Sequence, residues 1–219
     1  MSNIKSKYIL DFFKTLNKEN VQYMLIKNIG KELPHNLKDG KDIDIIVKLE
    51  DREHFSKIMG ANGYLFRLPP LGTNGGWKFG YQLPEYQFWQ KSKIEQTLYI
   101  DACFKLMCKS LTPKFWVPLD ETINKRAWKE KQWNDELNCW QLDEKTLFVY
   151  LFARCVFDKK TFSPVYITEI EERKNLINDT EVYAMLKTLF YNFTDTLIDM
   201  VKKSEYEKII HKYITFKNY

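Results

Sequence analysis

The chain has 219 residues, 44% hydrophobic and 16% aromatic, with 34 basic against 29 acidic residues for a formal charge of +5. That apolar content excludes a disordered chain and predicts one full domain with a smaller attachment. The mild charge is dispersed rather than run together, so it permits a phosphate-bearing substrate and gives no argument for nucleic acid. Cys103, Cys108, Cys139 and Cys155 form no CxxC pair, and His35, His54 and His211 add no zinc spacing, so reduced thiols are expected. No apolar run approaches the ~18 residues of a spanning helix, and the charged start is no signal region, which predicts a cytoplasmic protein without membrane insertion.

Tyr8, Ile9, Phe12, Phe13 and Leu16 recur at helical spacing and predict a first helix over residues 6–20. Residues 21–26 read as a strand, followed by an irregular basic segment through Lys27, Asn28, Gly30 and Pro34 and a turn at Lys38-Asp39-Gly40-Lys41. In the next run Ile43, Ile45 and Val47 occupy one face of a strand, with Asp42 and Asp44 together on the other. Asp51 suits the N-cap of a helix through Phe55, Ile58 and Met59 that ends at Gly60 and Gly63, after which residues 64–67 resume an extended pattern. Residues 69–76, with Gly72, Gly75 and Gly76, predict a lid-like loop, and it is not a P-loop because no Gly-Lys-Ser/Thr ending follows.

Aromatic-rich strands are expected around 78–82, 85–89 and 97–104, making a mixed or antiparallel sheet, with a short strand pair over 133–142. Residues 105–132 give no clear pattern. After Asp143, a good N-cap, the pattern turns helical: Leu147, Tyr150, Leu151, Arg154 and Cys155 share a face, and further helices are expected over 166–176, 181–190 and 193–213. The chain therefore divides near residue 142 into an α+β part, 1–142, and a helical part, 143–219.

Carboxylates at i and i+2 on a strand project from one face, the spacing required if both are to reach one magnesium site. A third acid, Asp101, stands alone in Leu98-Tyr99-Ile100-Asp101-Ala102-Cys103, where an adjacent strand would bring it beside the pair. Three such acids can hold two metal ions about 3.5–4 Å apart, one activating an attacking hydroxyl and one neutralising a triphosphate. The plainer alternative makes Asp42 and Asp44 the solvated face of an edge strand, with Asp101 paired to a lysine. The glycine turn leading in and the lone acid on a later apolar strand weigh toward the metal site.

Tyr23-Met24-Leu25-Ile26-Lys27-Asn28, a basic loop, Gly40-Lys41-Asp42-Ile43-Asp44-Ile45-Ile46-Val47 and then Ile100-Asp101 together resemble the polymerase-beta nucleotidyltransferase superfamily over residues 21–104. More narrowly they are similar to bacterial nucleotidyltransferase-like proteins associated with surface-polysaccharide synthesis. The resemblance implies a nucleotidyltransferase-like mixed sheet with flanking helices and a C-terminal helical domain. It also implies Asp42, Asp44 and Asp101 as catalytic metal ligands, Mg2+ or Mn2+ as cofactor, a nucleoside triphosphate as donor, and transfer to a hydroxyl or phosphate of a small-molecule or glycan acceptor. The glycine-serine pair that usually cradles the triphosphate is missing. Lys27-Asn28 stands in its place with Gly30 a little later, so Lys27 is expected to contact a phosphate directly, with Asn28, Gly30 and Lys41 beside it. Transfer of another phosphorylated group to a glycan, and a non-catalytic module holding a glycan or protein partner on its aromatic sheet, fit the same residues. Modification of transfer RNA gains no special support from the charge.

Arg154 and Lys159, near Asp158 and Lys160 at the end of an apolar helix, are expected to face a phosphate donor across the interdomain cleft. A helix C-terminus favours cations whatever the function, and Arg154 can also pair with Asp158. Trp77, Phe79, Tyr81, Tyr86, Phe88 and Trp89 suit either stacking of a base or sugar or filling of a sheet core. His35 suits a phosphate contact or a solvated loop, His54 and His211 suit helix surfaces, and Cys103, on the strand face of Asp101, suits a buried structural thiol.

Overall fold

The computed structural model describes residues 2–67, 77–84, 86–91, 96–110 and 115–218; the predicted lid-like loop at 69–76 lies outside them. The alternation that begins at Asp42 produces a six-residue strand, β2 (Asp42–Val47), preceded by α1 (Ser6–Lys18) and β1 (Tyr23–Leu25). Then follow α2 (Arg52–Ala61), β3 (Tyr64–Arg67), β4 (Lys78–Phe79), β5 (Gln87–Lys91) and β6 (Tyr99–Cys103). Short strands β7 (Met107–Lys109) and β8 (Phe115–Pro118) precede α3 (Glu121–Lys129) and the hairpin of β9 (Gln132–Asn134) and β10 (Cys139–Gln141). The helical part comprises α4 (Glu144–Ala153), a π-helical turn at Arg154–Lys159, α5 (Pro164–Glu172), α6 (Thr180–Phe190), α7 (Thr194–Lys202) and α8 (Tyr206–Ile214).

The main sheet has seven strands in the order β3-β5-β6-β2-β1-β10-β9, with β2–β6 and β1–β10 parallel and the other pairs antiparallel. One face buries Ile43, Ile45, Val47, Ile100 and Ala102 against Phe12, Phe13 and Leu16 of α1 and Phe55, Ile58 and Met59 of α2. Each such aliphatic or aromatic side chain withdrawn from water contributes about 1.5–3 kcal/mol, and this is what fixes the register that puts the acids on the other face. On that other face Met24, Ile46 and Cys103 join a second buried cluster with Phe148, Phe152 and Phe190 of the helical part. That cluster draws on both sides of residue 142. Its centre is α4, which is apolar all round, as a helix enclosed by others should be.

Several local expectations change. The aromatic strands do not all join one sheet: β4 leaves it for a separate three-stranded sheet, ordered β4-β8-β7, built from the stretch that gave no pattern in the sequence. β4 ends early because Tyr81 and Gln82 adopt positive φ in a turn. Asp51 stands at the N-cap of α2 but its carboxylate accepts the Gln22 amide at 2.6 Å, tying α2 to β1 instead of capping. Asp143 does cap α4, accepting from the amides of Lys145 and Thr146. The helix expected over 193–213 breaks into α7 and α8, with Ser204 at φ 56 between them. Among the described residues no helix is long and apolar enough to cross a membrane.

Candidate active site

Asp44 and Asp101 are directly opposite each other in the parallel β2–β6 pair, and Asp42 precedes Asp44 by one pleat on the same face. The turn that delivers β2 is pinned to the lead of β6. Gly40, at φ +84 where a side chain would be strained, donates its amide to the Thr97 carbonyl at 3.0 Å, and Asp39 accepts the Thr97 amide at 2.6 Å. Carboxylate oxygens of Asp42, Asp44 and Asp101 consequently lie within 4.8 Å of one another.

These acids form the floor of a cleft of about 560 Å³. One wall is the segment after β1, with Lys27, Asn28 and Lys41; the opposite wall comes from the small sheet and its neighbours, with Trp77, Tyr86, Lys109 and Trp116; Tyr150, Arg154 and Lys159 complete it. Burial, reinforced by the charges of Asp44 and Asp42, pushes the Asp101 carboxyl well above the usual range. Asp42 is raised as well, by burial and then by Asp44. Burial also works against the charge on Asp44, but Lys27 and then Arg154 outweigh it and hold Asp44 below the usual range. Lys27, 13% exposed at its side chain, is ion-paired with Asp44. Crowded hard oxygens with no imidazole or thiolate among them are the donor set that suits Mg2+ or Mn2+, and a divalent cation would relieve their mutual repulsion.

The other residues singled out from the sequence divide. Lys41 lines the cleft and pairs with Glu32 at 2.7 Å. Asn28 lines it too, but its side-chain amide is engaged at both ends with Leu33: Nδ2 donates to the carbonyl at 3.2 Å and Oδ1 accepts the amide at 2.9 Å. Gly30 is not brought to the cleft; its amide donates at 3.0 Å to Glu169, a buried carboxylate that also accepts from Arg173 at 2.8 Å. Arg154 is ion-paired with Asp158, and Lys159 has no ion pair among the described residues. Burial, then Arg154, Lys27 and Lys109, lowers the Lys159 ammonium. His35 lies outside the cleft and meets the Ser6 hydroxyl at 2.7 Å, while His54 contacts the Glu19 carbonyl. Cys103 is buried, with its thiol toward the Ile45 carbonyl.

Lys109 and Trp116 escaped sequence reasoning because they lie in strands too short to show alternation. They pair across β7 and β8, and the Lys109 ammonium sits over the rings of Trp116 at 5.2 Å and Trp77 at 5.5 Å. The Trp116 indole N–H and the Arg154 Nε–H are buried without a hydrogen-bond partner among the described residues, each at a cost of about 1–3 kcal/mol. Both side chains line the cleft.

No family model matches the chain, and no curated protein matches its sequence. Among solved structures the chain is similar to the solution structure of the antibiotic-resistance factor ANT(2'')-Ia, with 9% identity and a TM-score of 0.47 over 91% of this chain and 100% of that one.

Proposed function

We propose that the cleft carries out divalent-metal-dependent nucleotidyl transfer from a nucleoside triphosphate to a hydroxyl or phosphate of a small molecule, with a sugar or glycan precursor as acceptor. The observation that supports this reading is the convergence of Asp42, Asp44 and Asp101 within 4.8 Å at the base of a cleft that also carries Lys27, Arg154 and Lys159. In it residues 1–142 supply the acids and residues 143–219 close the cleft from the side of α4 and α5.

Asp42, Asp44 and Asp101 would hold Mg2+ or Mn2+, which when bound lowers the pKa of an attacking hydroxyl and neutralises charge on the transferring phosphoryl group. The acceptor oxygen forms the new bond to the α-phosphorus while its proton passes to Asp101; the bond to pyrophosphate breaks, and pyrophosphate leaves with the electron pair. Lys27, held against Asp44, fixes that carboxylate in its ionised form and presents an ammonium to the donor. Arg154 and Lys159 supply cationic partners for the remaining phosphates.

The engagement of the Gly30 amide with Glu169 and of the Asn28 side chain with Leu33 favours a second reading. With those donors occupied, the same acids would transfer another phosphorylated group to a glycan. Thermal stabilisation by a panel of nucleoside triphosphates, with and without Mg2+, separates the two. A nucleotide at 100 times its Kd stabilises by about 2.7 kcal/mol, about 5–10 °C for a domain of this size. The expected result is a magnesium-dependent shift for at least one triphosphate, abolished in Asp44→Asn. No shift with any triphosphate sinks the nucleotidyl reading.

A further inference from the structure

The two walls of the cleft differ in what they leave unsatisfied. On the β1 side the polar groups are mostly occupied: Lys27 by Asp44, Lys41 by Glu32 and Asn28 by Leu33. On the small-sheet side the Lys109 side chain has no carboxylate partner among the described residues, its ammonium resting only on two indole faces. Trp116, 5% exposed, holds an N–H with no hydrogen-bond partner among the described residues, and it lines the cleft. Trp77 packs on Trp116 at 5.0 Å and on Tyr86 at 5.3 Å, so the wall is a continuous aromatic surface edged by a cation.

This wall adjoins Asp101 more closely than the other acids. Phe88 of β5 pairs with Asp101 of β6, and Tyr86 lies two residues before Phe88, one pleat along on the same face. The same proximity is felt electrostatically: after burial, Asp101 is the first of the acids that raise the Tyr86 phenol.

We propose that Trp77, Lys109 and Trp116 form the acceptor subsite, and that it takes a polyhydroxylated, sugar-like molecule carrying its own phosphate or carboxylate. Placing the acceptor here, rather than the donor, rests on the nucleotidyl-transfer reading, in which Asp101 receives the acceptor proton. Indole faces stack on the C–H faces of a sugar ring, the Trp116 N–H finds an acceptor oxygen, and Lys109 pairs with the anionic group. Lys27, Lys109, Arg154 and Lys159 around the same cleft disfavour a polycationic acceptor.

The test is calorimetric binding of hexose, pentose and polyol phosphates and sugar acids, each beside its neutral parent, and of inorganic phosphate. Wild type, Lys109→Met and Trp116→Phe are compared, with a magnesium-bound non-hydrolysable nucleoside triphosphate titrated separately. Wild type should prefer at least one anionic sugar over its parent by about tenfold or more, as a charge-assisted hydrogen bond provides. Lys109→Met should erase that preference while changing nucleotide affinity less than about threefold. Trp116→Phe, which keeps an aromatic ring but removes the N–H together with part of the indole, should weaken the same ligand about threefold to tenfold while the smaller side chain lowers the melting temperature by a few degrees. A merely structural role for Trp116 would lower the melting temperature and leave affinity alone.

The proposal is overturned if no member of the panel binds, if inorganic phosphate binds as tightly as the sugar phosphates, or if Lys109→Met weakens the nucleotide as much as the sugar. Discrimination for an anionic sugar without any nucleotide binding would uphold the subsite's ligand class and remove the nucleotidyl reading alone.

Discussion

Replacing Asp101 by asparagine should stabilise the metal-free protein while removing its response to metal. Oxygens of the three acids lie within 4.8 Å, and at an effective dielectric of about 20 one pair of full charges at that separation repels by about 3.5 kcal/mol. The protein avoids much of this cost because Lys27 neutralises Asp44 and because burial and the neighbouring acids push the Asp101 carboxyl well above its usual range. The gain realised by an uncharged isostere is therefore smaller, about 1–2 kcal/mol, or about 2–8 °C in Tm for a domain of this size. The sign with pH follows from the direction of the shift. Above the ordinary carboxylate value and up to the raised one, the folded state binds more protons than the unfolded state, so this group's contribution to stability falls as pH rises through that window. Asp101→Asn lacks that loss, and its advantage should be smallest near pH 4 and grow toward neutrality. Scanning calorimetry of chelator-treated wild type and variant from pH 4 to 8, repeated with saturating Mg2+, measures both effects. With metal the order should reverse, because only the wild type gains. A variant less stable at every pH, or a difference that does not change with pH, would refute the crowding of these acids.

Two further perturbations probe what supports the site. Asp143 caps α4 and both its oxygens accept from Arg126 Nη1 at 2.8 Å, so Asp143→Ala should cost about 1–3 kcal/mol in urea unfolding through the lost cap and the lost charge-assisted bonds, Arg126 keeping Glu181 at 3.3 Å. Equal stability to wild type would show the pair to be dispensable. Glu169→Ala should release the Gly30 amide, raising its hydrogen exchange about tenfold and weakening donor binding by loosening the segment that carries Lys27, whereas Glu169→Gln, which keeps an acceptor oxygen, should retain most of the protection. Unchanged exchange at Gly30 in the alanine variant would remove Glu169 from any positioning role.

The acids were legible because alternation on a strand buried on one face is a strong pattern: Ile43, Ile45 and Val47 must go inward, so Asp42 and Asp44 must share the other side. Asp101 stood out for the same reason, and the α+β arrangement with its helical C-terminal part followed from the change of period at Asp143. Tertiary partners were not legible. Nothing local tells that Gly30 will be claimed by Glu169, 139 positions away, or that Asp51 will bind Gln22 instead of its own helix. Lys109 and Trp116 sit in strands of three and four residues, too brief for a periodic signal, and they meet only through pairing across the intervening chain. The break between α7 and α8 left only a small mark, a skipped apolar position: after Val201 the next buried residue is Tyr206, five on, where a continuous helix would bury position 204 or 205.

The π-helical turn at Arg154–Lys159 acts as a gear tooth between the helical part and the cleft. On an ordinary α-helix, residues five apart diverge by about 140°, so only one of Arg154 and Lys159 would look toward the acids. Bonds spanning five residues widen the turn and bring both into the cleft's lining. The winding of the chain there, as much as side-chain identity, sets the charge the cleft presents. Winding the same six residues as an ordinary α-helix would leave every acid and every lysine in the sequence, turn Lys159 about 140° from Arg154, and carry one cation out of reach.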